Sequence, residues 1–128
     1  MMNTQRILHV DDSWGCRQLV NAVLSFYGYE VLEAENGSQA VAIAEQEWPD
    51  LILMDIYLPN MNGVEATKLI KASAVGAVPV IAVTSSDKMS DYKRMMDAGC
   101  SAYLLKPFSP SQLLSLVRQH LAPVQVAV

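Results

Sequence analysis

Short apolar runs alternate along this chain with segments whose apolar residues recur every three or four positions, and the alternation repeats five times. The first run, Arg6–Val10, reads as a strand, and Ser13–Tyr27 reads as a helix with Cys16, Val20, Val23, Leu24 and Tyr27 on one face. Gly28 stops that helix. Tyr29–Ala34 is a second strand, and Asn36-Gly37 opens a helix reaching about Gln46. Leu51–Met54 holds four apolar residues in a row, the pattern of a strand buried on both faces. A helix over Val64–Ser73 turns Ala66, Leu69 and Ile70 inward. Pro79 begins a fourth strand ending at Val83, a position proline tolerates. Ser90–Ala98 is a short helix stopped by Gly99, and Ala102–Leu105 is the fifth strand. Ser109-Pro110-Ser111-Gln112 is a capping box that starts a last helix running to about Leu121. Residues 122–128 read as a tail without assignment.

Strict β-α alternation calls for a parallel sheet with helices on both faces, and right-handed crossovers leave few topologies. In all of them the C-terminal ends of the strands share one edge. Asp11 and Asp12 follow the first strand, Asp55 ends the third, Thr84 the fourth and Lys106 the fifth. That edge is where open α/β folds bind ligands.

The length of 128 residues fits about one domain of the usual ~100–200 residues. With 52% hydrophobic and 17% charged residues, the chain is not a disordered one. No apolar run approaches the ~20 residues of a membrane span, and residues 1–6 contain no signal-peptide core, so the expected compartment is the cytoplasm. Cys16 and Cys100 are too few for a disulfide framework and read as reduced, small core residues. A net charge of −4 argues against nucleic acid as the main partner and fits a site that gathers carboxylates around a cation.

Two or three carboxylates at close quarters repel, and a divalent cation removes that problem. Oxygen ligands without histidine or cysteine at metal spacing point to Mg²⁺. Lys106 would add a positive charge and Thr84 a hydroxyl donor. These are the requirements of phosphoryl transfer, in which a carboxylate on the rim can itself be the nucleophile.

The segments Ile7–Ser13, Leu51–Pro59 with Gly63, Val83-Thr84-Ser85 and Tyr103–Phe108 together resemble the receiver domain of two-component response regulators, over about residues 6–121. The resemblance implies a (βα)5 flavodoxin-like three-layer sandwich with strand order 2-1-3-4-5. It implies that Asp55 accepts a phosphoryl group from a phosphohistidine on a histidine kinase or phosphotransfer domain. Mg²⁺ would be held by Asp12, Asp55 and the Tyr57 backbone carbonyl, with Asp11 acting largely through water. Lys106 would pair with the acyl phosphate, Thr84 would move to hydrogen-bond it, and Tyr103 would swing inward behind it. Pro107 is expected to follow a cis bond. The fourth helix, fifth strand and fifth helix would present the altered face to a downstream protein. Such a chain is a signalling switch rather than an enzyme in its own right. It could stand alone, relay the phosphoryl group, or be one domain of a longer regulator or hybrid kinase.

Ser85 departs from the alanine common after the switch threonine, and Tyr57 and Ser86 occupy places that tune water access; the bulk of Tyr57 predicts slow self-dephosphorylation. His9 reads as a packed core histidine and His120 as a surface or helix-end residue. Met89, Met95 and Met96 read as core or half-buried, or alternatively as an adaptable partner surface. Trp14 either rims the acidic pocket or only covers the first helix. A haloacid-dehalogenase-type phosphatase would need an acid where Tyr57 stands. A flavin carrier would need an uncharged phosphate loop where Asp11-Asp12-Ser13-Trp14 stands, which would repel phosphate.

Overall fold

The computed structural model describes residues 4–121; the tail expected from residue 122 onward lies outside the described residues. Five strands alternate with five helices: β1 (Arg6–Val10), α1 (Trp14–Phe26), β2 (Glu30–Ala34), α2 (Gly37–Glu47), β3 (Leu51–Met54), α3 (Gly63–Lys71), β4 (Val80–Thr84), α4 (Met89–Ala98), β5 (Ala102–Leu105) and α5 (Pro110–His120). All strand pairs are parallel, in the order β2-β1-β3-β4-β5.

The period of two along each strand divides the core. Leu8, Val10, Ile52, Met54, Val80 and Ala82 meet Ala40 and Ala44 of α2, Ala66 and Ile70 of α3 and Met95 of α4. Ile7, Leu51, Leu53, Ile81 and Val83 meet Val20 and Leu24 of α1 and Leu113, Leu114 and Val117 of α5. The result is the three-layer, flavodoxin-like sandwich. The elements differ from expectation by a residue or two, and the caps account for several of the shifts. Ser13 lies outside α1 because its side chain caps the Cys16 amide, and Asn62 caps α3 through Glu65, so that helix starts at Gly63. Ser109 and Gln112 form the expected capping box on α5.

Two expected inward residues point outward. Leu69 is exposed, and Thr67 takes the buried place beside Ala66 and Ile70. Tyr27 caps the end of α1 and is exposed, with its ring under Arg118 at 5.5 Å. The interior stripe of α1 consists instead of Arg17, Val20 and Leu24.

Register aligns the functional edge. Val10 pairs with Met54, Met54 with Ala82, and Thr84 with Leu105. The residues that follow these pairs therefore leave the sheet along one rim. Gly63 lets α3 begin against that rim: its amide donates to Ile56 O at 2.7 Å, and a Cβ at this position would fall on the Asp55 carbonyl.

Candidate functional site

At the rim, carboxylate oxygens of Asp11, Asp12 and Asp55 all lie within 4.8 Å of one another. Asp11 and Asp55 are buried, and Asp12 faces water. Lys106 reaches across the end of β4 and donates to Asp11 Oδ2 at 2.5 Å and to Asp55 Oδ2 at 3.0 Å. The Lys106–Pro107 peptide that follows is cis. One ammonium thus stands against three carboxylates.

The electrostatics follow from this imbalance. Burial pushes the Asp55 carboxyl above its ordinary value; Lys106 pulls it back only in part, and Asp11 adds to the rise. Burial pushes Asp11 up too, but there the Lys106 hydrogen bond, the Ser13 amide at 2.9 Å and the Cys16 thiol together hold it below the usual carboxylate range. Lys106 would lose its proton more readily by burial alone; bonding to Asp11 and the Asp55 charge reverse that and raise it. Asp55 is accordingly the member of the pair least at ease as an anion.

The backbone under Asp11 has its own support. Arg17, almost fully buried in α1, donates to the Asp11 carbonyl at 2.7 Å and pairs with Glu33 at 3.2 Å and Glu35 at 3.4 Å. Trp14 is exposed and lines a shallow groove with Arg17, Gln18, Glu33, Glu35 and Gln39. His9 is buried in β1, and burial lowers its pKa to about 4. A nitrogen of His9, the Cys16 sulfur and an Asp11 oxygen also lie within 4.8 Å of one another. Both cysteines are free; Cys100 is buried, Cys16 half-buried, and burial pushes each thiol up to about 11.

On the other side of the rim, Thr84 is buried and its Oγ1 accepts from the Ser86 amide at 3.3 Å. Tyr103 is half-buried, its hydroxyl donating to Ser86 O at 2.7 Å and its ring 5.4 Å from that of Tyr92. Tyr57 is exposed, yet its hydroxyl donates to Asp91 Oδ2 at 2.6 Å, and Ser86 Oγ donates to the same oxygen at 2.6 Å. Among the methionines singled out in the sequence, Met95 is core, Met96 packs against it, and Met89 is exposed. His120 sits in the last turn of α5 against Leu116 O at 2.9 Å.

Sequence reasoning missed Arg17, and it places Asp91 on the output face without its burial or its bonds to Tyr57 and Ser86. The signal was available: each falls on the apolar stripe of its helix, Arg17 with Val20 and Leu24, Asp91 with Met95 and Ala98. A charge at such a place is buried, and a buried charge needs partners.

Residues 7–118 match the response regulator receiver domain family. The chain belongs to it. It is 43% identical over 118 residues to Protein PilH of Pseudomonas aeruginosa, covering 91% of this chain and 98% of that protein. Among solved structures, this receiver is similar to the chemotaxis protein CheY4 of Vibrio cholerae, with TM-score 0.88, 31% identity, and coverage of 93% and 100% of the two chains. It is also similar to the receiver domain of a sensor histidine kinase from Pseudomonas aeruginosa, with TM-score 0.87, 36% identity and coverage of 92% and 98%. That domain was solved with a magnesium ion coordinated in its active-site cleft. The chain is thus a signalling domain of the two-component type. No helix among the described residues is long and apolar enough to cross a membrane.

The donor set tests the fit of a metal. Asp11, Asp12 and Asp55 offer hard oxygen ligands from two adjacent strand ends, one of them open to water. That composition suits Mg²⁺, which keeps several waters and takes one or two carboxylates.

Proposed function

We propose that this receiver is a phosphoacceptor switch in which Asp55 takes a phosphoryl group from a phosphohistidine of a histidine kinase or phosphotransfer domain. An Asp55 oxygen forms the new P–O bond as the P–N bond to the donor imidazole breaks. The observation that carries this reading is Lys106, held 3.0 Å from Asp55 and 2.5 Å from Asp11, where a cation can meet the equatorial oxygens of the incoming group. Asp11, Asp12, Asp55 and the Tyr57 backbone carbonyl would hold Mg²⁺, which when bound supplies charge neutralisation for the same oxygens. The Thr84 hydroxyl would donate to the phosphoryl group once it exchanges its present contact with the Ser86 amide. Loss of that contact would loosen the loop to which Tyr103 is bonded. The output would be altered binding of a downstream protein at α4, β5 and α5.

Burial of Asp55 supports the division of labour. A carboxylate raised toward protonation by its surroundings is destabilised as an anion, and formation of the acyl phosphate would move charge outward toward Lys106 and the metal ligands. The test is incubation with a small-molecule phosphodonor and Mg²⁺, followed by intact mass measurement. The wild type should gain the mass of one phosphoryl group, and Asp55→Asn should not. Equal labelling of the variant refutes the acceptor assignment. Cognate donors would then be found by transfer from purified phosphorylated kinases.

A further inference from the structure

Tyr57 stands in the loop after β3, two residues beyond Asp55, but its hydroxyl is bonded outside that loop. It reaches the Asp91 carboxylate in the first turn of α4, beyond the end of β4. Since β3 and β4 are neighbours, Asp91 joins the two loops that flank the gap between Asp55 and Thr84, taking Tyr57 from one and Ser86 from the other. Asp91 is only 3% exposed, although it lies on a surface helix. Its Oδ2 accepts from both Tyr57 and Ser86 at 2.6 Å, and its Oδ1 meets Arg94 at 3.3 Å. Two hydroxyl donors and the Arg94 guanidinium thus converge on one carboxylate that is almost closed to water. Ser86 in turn accepts from Tyr103 through its carbonyl at 2.7 Å.

We propose that Asp91 is a positioning residue for the fate of the phosphorylated state: it holds the Tyr57 ring as a bar across the mouth of the acceptor site, which limits the approach of water to the acyl phosphate. An isolated exposed tyrosine samples several rotamers, and a ring tethered at its far end samples far fewer. Because the tether is on α4, the bar is released when α4 shifts or when Ser86 is drawn away. The lifetime of the phosphorylated state is thereby coupled to the position of the helix, and a protein bound at α4 sets the hydrolysis rate without touching Asp55.

This inference rests on Asp55 being the acceptor, and the experiment separates the two. Wild type, Tyr57→Phe, Asp91→Asn and the double variant are loaded with a small-molecule phosphodonor and Mg²⁺. The donor is removed, and loss of the phosphoryl group is followed by intact mass. If the wild type takes up no phosphoryl group, the acceptor reading itself fails and the inference falls with it. Given uptake, Tyr57→Phe and Asp91→Asn should each shorten the lifetime about three- to tenfold, the scale of one ordinary hydrogen bond. The double variant should lose phosphate no faster than the quicker single variant, because both act through one contact. A purely structural role for Asp91 would make its effect persist in the Tyr57→Phe background and multiply with it. Wild-type rates in either single variant, or multiplying effects, would overturn the proposal. Tyr57→Phe alters an exposed hydroxyl only, so it keeps the test decisive if Asp91→Asn folds poorly.

Discussion

Replacing Asp55 by asparagine should make the metal-free protein more stable. Three contributions decide the sign. At an effective dielectric of about 20, a pair of carboxylate oxygens at the 4.8 Å limit repels by ~3.5 kcal/mol. Asp11 exerts that in full; Asp12, which faces water, exerts less. Against this, the variant loses the attraction of Lys106 at 3.0 Å, roughly 5.5 kcal/mol on the same scale. The charge–charge effects therefore come within ~2 kcal/mol of cancelling. What remains is desolvation. The Asp55 residue is 8% exposed, and a buried carboxylate costs several kcal/mol more than an amide of the same shape. The raised Asp55 pKa has the same origin, burial outweighing Lys106.

The net expectation is a gain of about 1–2 kcal/mol, or roughly 3–10 °C in Tm, measured by urea or thermal unfolding at neutral pH in chelator. Adding Mg²⁺ to about a hundred times its dissociation constant should stabilise the wild type by about 2.7 kcal/mol. The variant should gain less, having lost one anionic ligand. The pH dependence has the same sign. A carboxyl whose folded value lies above its unfolded one takes up its proton earlier in the native state, so its cost is relieved as pH falls. The wild-type deficit should shrink on acidification. A variant less stable than wild type in chelator refutes the burial argument, and equal Mg²⁺ gains in both proteins refute Asp55 as a ligand.

Three further outcomes follow from particular contacts. Gly63→Ala places a methyl group on the Asp55 carbonyl, so α3 must shift; a loss of about 2–4 kcal/mol in unfolding experiments, with weaker Mg²⁺ binding, is expected. Arg17→Leu keeps the bulk but removes the donor to the Asp11 carbonyl, and should cost about 1–3 kcal/mol and weaken Mg²⁺ binding; an unchanged metal affinity would mean that Asp11 holds its place without help. His9 takes up a proton at about 4 when folded, because of its burial, against an ordinary 6.5, so the native state binds fewer protons between those limits and stability falls as pH drops through them. Wild type should lose up to about 3 kcal/mol relative to His9→Gln between pH 6.5 and 4, and parallel stability curves for the two proteins would refute a buried neutral His9.

The order of elements was legible in the sequence because two periods, about two and about 3.6, divide it cleanly, and because Asn36, Ser109 and Gly99 mark helix ends by local chemistry. Strand order was not legible from periodicity; the family resemblance supplied it. The rim was legible through position alone, since a polar residue closing an apolar strand has nowhere else to go. That reasoning places Asp11, Asp55 and Lys106 in one cluster, as the structure does. It failed where a helix face is read as uniformly apolar. Leu69 reads as inward because it is apolar, yet Ala66, Thr67 and Ile70 fix the stripe and leave position 69 outside. Tyr27 reads as interior by its spacing, but it lies at a helix end, where an amphipathic ring can turn back on Arg118. Arg17 and Asp91 show the converse, charged residues at interior positions whose burial a polar/apolar reading does not give.

Those two charges show how the site is held. Each rim loop is tied by one buried charge from the helix beyond it: Arg17 of α1 grips the Asp11 carbonyl, and Asp91 of α4 grips Tyr57 and Ser86. Their surroundings differ in a way that matters for signalling. Arg17 bonds to backbone and to two carboxylates on and after β2, none of them on the loops beside Asp55 and Thr84. Asp91 bonds to two hydroxyls, one from each loop beside Asp55 and Thr84, and every one of those bonds changes if either loop moves. The Asp11 side of the rim is thus anchored to a fixed frame, while the Thr84 side is anchored to a helix through exchangeable hydroxyl bonds. A charge added at Asp55 should accordingly leave α1 in place and be expressed at α4.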